Sequence, residues 1–125
     1  MRKIARARLK DSEALFQSRR YDSAVYLCGY AIELALKARI CRTLKWAGFP
    51  STRKEFESLT SLKTHDLGIL LKLSGLENKI QAGYAAEWLV VAEWEPESRY
   101  HAIGMTSQSD AAQMIAAAKT LLRVI

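Results

Sequence analysis

Between Ser18 and Trp46 the sequence reads SRRYDSAVYLCGYAIELALKARICRTLKW, and nothing in it signals a turn once Asp22 has passed. A stretch of that length and spacing predicts a central helix on which the rest of the chain packs. Asp22 or Ser23 is expected to cap its start, because a short side-chain oxygen satisfies an orphan amide of the first turn. One stripe carries Ala24, Leu27, Cys28, Ala31, Leu34, Ala35, Ala38 and Cys41 at the three- and four-residue steps of a buried face. Several of these side chains are small, so a neighbouring helix can approach closely. A second stripe holds Tyr26, Tyr30, Glu33 and Lys37. Glu33 and Lys37 stand in the favourable order for an intrahelical pair, worth ~0.2–0.5 kcal/mol on an exposed helix.

Helical spacing continues on both sides of this stretch. Residues 2–18 predict a first helix, with Ile4, Ala5, Leu9, Leu15 and Phe16 inward and Arg2, Arg6 and Lys10 outward. The short Arg19-Arg20-Tyr21 link makes it antiparallel to the central helix. Gly48 and Pro50 are expected to end the central helix, and Ser51 or Thr52 to cap a short helix over Lys54 to Leu59. A further helix is expected from Thr64 to Gly75, and another from Glu77 to Glu93 whose tail, Trp88 to Ala92, is apolar nearly all round. Glu95-Pro96-Glu97 breaks that helix, and residues 95–106 read as a long loop. Ser107 and Asp110 fit a capping box for a last helix over Ala111 to Ile125. The expected fold is all-α: an antiparallel bundle of about five helices forming one domain over residues 1–125.

Charge narrows the partners. Residues 1–45 hold 11 Lys and Arg against 4 Asp and Glu, and residues 46–125 hold 8 against 9, so the net charge of +6 sits in the first third of the chain. Such a basic region attracts nucleic acid or an acidic protein through its long-range field. No apolar run reaches the ~20 residues a membrane span needs. The basic N-terminus leads into no apolar signal core, and a cytoplasmic location is expected. Cys28 and Cys41, on one helix and roughly 20 Å apart at ~1.5 Å per residue, cannot bridge each other. Neither has a nearby cysteine partner, so reduced thiols without zinc are expected. No cofactor is expected.

The run Tyr21-Asp22-Ser23-Ala24-Val25-Tyr26-Leu27-Cys28-Gly29-Tyr30-Ala31-Ile32-Glu33-Leu34-Ala35-Leu36-Lys37-Ala38 resembles the first long helix of HEPN domains (higher eukaryotes and prokaryotes nucleotide-binding). Lys63-Thr64-His65-Asp66-Leu67 and Trp94-Glu95-Pro96-Glu97-Ser98-Arg99-Tyr100 agree with that family in place and character. The resemblance implies a small helical bundle, a homodimer, and a minimal nucleotidyltransferase as partner, in a toxin–antitoxin or nucleotide-sensing system. Ribonuclease members carry an arginine, four to six intervening residues and a histidine, which sets a proton-transferring imidazole beside a phosphate-clamping guanidinium. Here the positions that would hold that arginine are Ser58, Leu59 and Thr60 ahead of His65, and Trp94, Glu95 and Pro96 ahead of His101. The ribonuclease motif is absent.

The residues therefore point to a binding module and give no positive case for catalysis. The expected ligand- or partner-binding surface is Tyr26, Tyr30, Glu33 and Lys37 together with Arg99 and Tyr100. Lys37 and Arg99 would meet a nucleotide's or RNA's phosphate or an acidic partner, and the tyrosines would supply stacking area. The alternative is a ribonuclease with a non-standard dimer-interface site using Arg99 and His101. His65 and Asp66, at a helix start, read as structural.

Overall fold

The structure, a computed structural model, describes residues 1–56 and 63–125, with the side chains of Phe56 and Arg99 outside the described set. The central helix is α2 (Tyr21–Leu44), preceded by α1 (Arg2–Gln17). After a short α3 (Arg53–Phe56) come α4 (Leu67–Ser74), α5 (Glu77–Gly83) and α6 (Ala85–Ala92). A 3-10 turn (Pro96–Tyr100) then leads to α7 (Gln108–Val124). The all-α reading holds, with seven α-helices among the described residues where about five were expected.

α2 is enclosed rather than amphipathic. Ala31, Ile32, Glu33, Leu34, Ala35 and Leu36 are all buried, and six consecutive buried residues exceed one 3.6-residue turn. α1, α4, α7 and the 3-10 turn all pack against it. Ile32, Leu36 and Ile40 share one core cluster with Leu67, Leu70 and Leu71 of α4 and with Met114, Ala118 and Leu121 of α7. The second stripe is thus no open surface: Glu33 is buried, and Tyr26, Tyr30 and Lys37 are half-buried.

α1 runs antiparallel to α2, close enough that Ser12 Oγ donates to the Ala24 carbonyl at 2.6 Å and lies 2.9 Å from Cys28 Sγ. The small stripe of α2 permits that approach. Ala5 and Ser12 are the buried residues of α1, whereas Ile4, expected inward, is half exposed. α7 lies along the same pair, tied to α1 by a Lys119–Glu13 ion pair.

Element ends depart from expectation in instructive ways. Neither Asp22 nor Ser23 caps α2, whose N-cap is Arg20 with no side-chain bond. The helix stops at Leu44 because Lys45 turns left-handed (φ 56), and the Trp46 amide closes back on the Cys41 carbonyl at 2.8 Å, ahead of Gly48 and Pro50. Thr52 does cap α3, accepting from the Glu55 amide at 3.2 Å, while the expected helix end at Leu59 lies outside the described residues. Asp66, not Thr64, caps α4: its Oδ1 accepts from Ile69 N at 3.1 Å, and Thr64 Oγ1 accepts from the Asp66 amide at 3.0 Å. The expected helix from Glu77 to Glu93 is two, because Tyr84 leaves the helical region (φ −138, ψ 27) just after Gly83, the poorest helix former but proline. Ser107 caps α7 as expected, accepting from Asp110 N at 3.0 Å.

Candidate functional site

Two features meet along α2. The first is a buried charge cluster at its middle. Glu33 Oε1 accepts from Lys37 Nζ at 2.7 Å, one turn on, and from His65 Nδ1 at 2.8 Å, on the segment leading into α4. The Glu33 side chain is 2 % exposed, that of Lys37 13 % and that of His65 63 %. Lys37 Nζ also lies 5.2 Å from the centre of the Phe49 ring, a cation–π distance. A carboxylate this deep requires partners, and it takes one from its own helix and one from α4's approach. His65 is the member that sequence reading set aside. Only the meeting of two distant segments reveals its bond to Glu33.

The second feature is the segment after α6, seated against the start of α2. Trp94 is buried, and its ring lies 6.1 Å from that of Tyr26. Asp22, free of capping duty, reaches across the fold instead: Oδ2 accepts from Gly104 N at 2.6 Å and Oδ1 from Thr106 N at 2.9 Å. The Gly104 amide, with help from Thr106, holds the Asp22 carboxyl below the usual carboxylate range. Gly104 has φ 87, the left-handed backbone that glycine adopts without strain. A cavity of about 390 Å³ opens between this clamp and α2, lined among others by Arg19, Arg20, Tyr26, Ser98 and His101.

Of the six residues expected to bind, Tyr26, Tyr30, Glu33 and Lys37 share one side of α2, with Glu33 and Lys37 bonded to each other. Tyr100 is 77 % exposed on the 3-10 turn. The side chain of Arg99 is outside the described residues. His101 Nε2 stands 3.9 Å from Glu95 Oε1, with both side chains more than half exposed, a pair of little energetic weight. Both cysteines are free thiols. Burial pushes the Cys28 thiol up to about 11, with the Ser12 hydrogen bond opposing the shift.

The family model for the HEPN domain matches residues 1–125, the whole chain. The chain belongs to the HEPN family. No curated protein and no solved structure matches it. HEPN membership supports a module of nucleotide-binding or ribonuclease type and agrees with the all-helical architecture. Among the described residues of this HEPN domain no cluster of His, Cys, Asp and Glu is arranged to hold a metal ion, and no helix is long and apolar enough to cross a membrane.

Proposed function

We propose that this HEPN domain is a non-catalytic binding module of the cytoplasm. It acts as a homodimer that pairs with a minimal nucleotidyltransferase in a toxin–antitoxin or nucleotide-sensing system. The observation that supports this reading is the concentration of exposed apolar side chains after α5. Leu89 is 71 % exposed, Tyr100 77 %, Ile103 100 % and Met105 71 %, with Val90 beside Leu89. Large apolar side chains left exposed in one stretch of the chain suit contact with another protein, since covering them gains roughly 25 cal/mol per Å². The Asp22 clamp holds the loop that carries Ile103 and Met105, so the surface is presented at little further ordering cost. Arg99 and Tyr100 belong to the proposed contact. In this reading Tyr26, whose ring lies beside that of Trp94, continues the contact onto α2, with Tyr30, Glu33 and Lys37 further along the same side of that helix.

The test is co-expression with candidate small nucleotidyltransferases, followed by affinity capture and measurement of mass in solution. The expected outcome is a complex of defined stoichiometry that Tyr100→Ala with Ile103→Asp disrupts while the helix content stays intact. A monomer that captures no nucleotidyltransferase would sink the reading. The ribonuclease alternative draws on His101 lining a cavity with Arg19 and Arg20. It requires RNA cleavage by the purified dimer that His101→Ala abolishes.

A further inference from the structure

The bond between His65 and Glu33 has a direction. Lys37 Nζ, an ammonium with only protons to give, lies 2.7 Å from Glu33 Oε1, so that oxygen is an acceptor. The same oxygen faces His65 Nδ1 at 2.8 Å and has no proton to offer it, so Nδ1 donates. Glu33 Oε2 is buried with no hydrogen-bond partner among the described residues, and the carboxylate is therefore met at Oε1 by these two donors. With its proton fixed on Nδ1, the neutral His65 ring keeps its lone pair on Nε2.

That nitrogen is on the far side of the ring from a carboxylate 2 % exposed, while the ring itself is 63 % exposed. The backbone around it is held: Thr64 Oγ1 accepts from the Asp66 amide at 3.0 Å, and Asp66 Oδ1 accepts from Ile69 N at 3.1 Å. A buried carboxylate, an oriented imidazole and an outward lone pair together make a nucleophile, because the carboxylate stabilises the imidazolium that forms when Nε2 acquires a substituent. His101 offers a reference within the same chain. It is 56 % exposed, but its carboxylate partner Glu95 is 59 % exposed, stands 3.9 Å away and faces Nε2 rather than Nδ1.

We infer that His65 is a phosphoryl-acceptor site, whose Nε2 takes a phosphoryl group from an N-phosphorylated donor such as another protein's phosphohistidine. The Nε2 lone pair attacks phosphorus, and the Nε2–P bond forms as the donor's P–N bond breaks. The electron pair of that bond stays on the donor nitrogen, which leaves as neutral imidazole. Positive charge passes from the donor ring to the His65 ring, where Glu33 offsets it across the Nδ1–H bond. Nothing is oxidised and no proton is transferred. Glu33 is thus a positioning residue, and Lys37 holds its carboxylate in place. An open ring suits this chemistry: an acyl group on imidazole is soon lost to water, whereas phosphoryl oxygens repel hydroxide. His65 belongs to neither the exposed apolar stretch after α5 nor the cavity beside the Asp22 clamp, so this site stands or falls apart from the partner reading.

Phosphoramidate, an N-phosphoryl donor small enough to need no pocket and whose nitrogen leaves as ammonia, tests the site on the full chain. Mass spectrometry of the digested protein follows each histidine separately, and phosphorus NMR distinguishes attachment at Nε2 from attachment at Nδ1. In the folded protein His65 should react about tenfold faster than His101, the scale of one charge-assisted hydrogen bond, and at Nε2. Glu33→Gln keeps an oxygen that accepts from Nδ1 but removes the charge, and should bring His65 to within about twofold of His101 at unchanged helix content. In urea the wild-type histidines should react at equal rates, a comparison that stands even where Glu33→Gln misfolds. Four results would each overturn the inference: equal rates in the folded protein, attachment at Nδ1, a preference for His65 that persists in urea, or one that a folded Glu33→Gln protein leaves unchanged.

Discussion

Gly29 of α2 lies so close to the indole of Trp94 that a Cβ placed on it would sit 2.1 Å from Cγ and 2.2 Å from Cδ1 and Cδ2. The atoms in the way are the root of a buried ring, which cannot swing aside. Mid-helix Gly→Ala ordinarily stabilises by about 1 kcal/mol. Here the sign inverts, and Gly29→Ala is expected to destabilise by about 3 kcal/mol through overpacking. Urea denaturation measures it. In the Trp94→Ala background the same change should cost far less, since the obstructing ring is gone. A Gly29→Ala protein as stable as wild type would show that Trp94 does not occupy this position.

Removing the buried Glu33 leaves the Lys37 ammonium half-buried without its partner and frees His65. Glu33→Ala is expected to cost about 2–3 kcal/mol, at or below the lower end for a broken buried ion pair, because Lys37 retains some exposure. His65→Ala should cost under about 1 kcal/mol, its ring being 63 % exposed. A double-mutant cycle between positions 33 and 65 separates the two contributions. If Glu33→Ala proved neutral, the cluster would have no part in joining α2 to the α4 approach.

Helix positions were legible in the sequence, while polar side-chain partners were not. α2 and α7 follow from apolar spacing, and the small stripe of α2 correctly implied a close neighbour, delivered by the Ser12 bond to Ala24. Spacing says which face is apolar but not how many neighbours surround a helix. Glu33 therefore looked like surface, although six consecutive residues around it are buried. Asp22 looked like a cap because the rule for N-caps is local. Its actual partners lie 82 and 84 residues away, beyond the reach of any pattern within one element.

The two thiols should separate by reactivity. Cys28 is buried, with its thiol pushed up to about 11, so in the folded protein at pH 8 only Cys41 should react with a thiol reagent, and slowly, since burial raises it too. In denaturant both should react at once. The raised value also fixes a sign. The neutral Cys28 thiol favours the folded state fully below about pH 9 and loses that advantage as pH climbs towards 11, where the unfolded chain has already ionised. Wild type should therefore lose stability relative to Cys28→Ala across that window. Two fast-reacting thiols in native protein would contradict the packing of α1 on α2.

The Asp22 clamp has the opposite pH signature. Its carboxyl is held below its ordinary value of 3.8 by the Gly104 and Thr106 amides, so the charged form favours the folded state. That contribution is present in full well above the ordinary value of 3.8 and is lost as pH falls through the lowered folded value. Asp22→Ala is expected to cost about 1 kcal/mol at pH 7, as for other carboxylates that satisfy backbone amides. The difference between wild type and Asp22→Ala should stay flat down to about pH 4.5 and shrink below it. Amide exchange at Gly104 and Thr106 should quicken in the variant, and less so in Asp22→Asn, whose carboxamide oxygen still accepts one bond. Because the clamp presents Ile103 and Met105, loss of partner capture in Asp22→Ala at pH 7, with α2 and α7 still protected from exchange, would tie the loop's order to the proposed binding surface. Unchanged exchange at both amides would remove the clamp, and with it the reason that this loop is held in place.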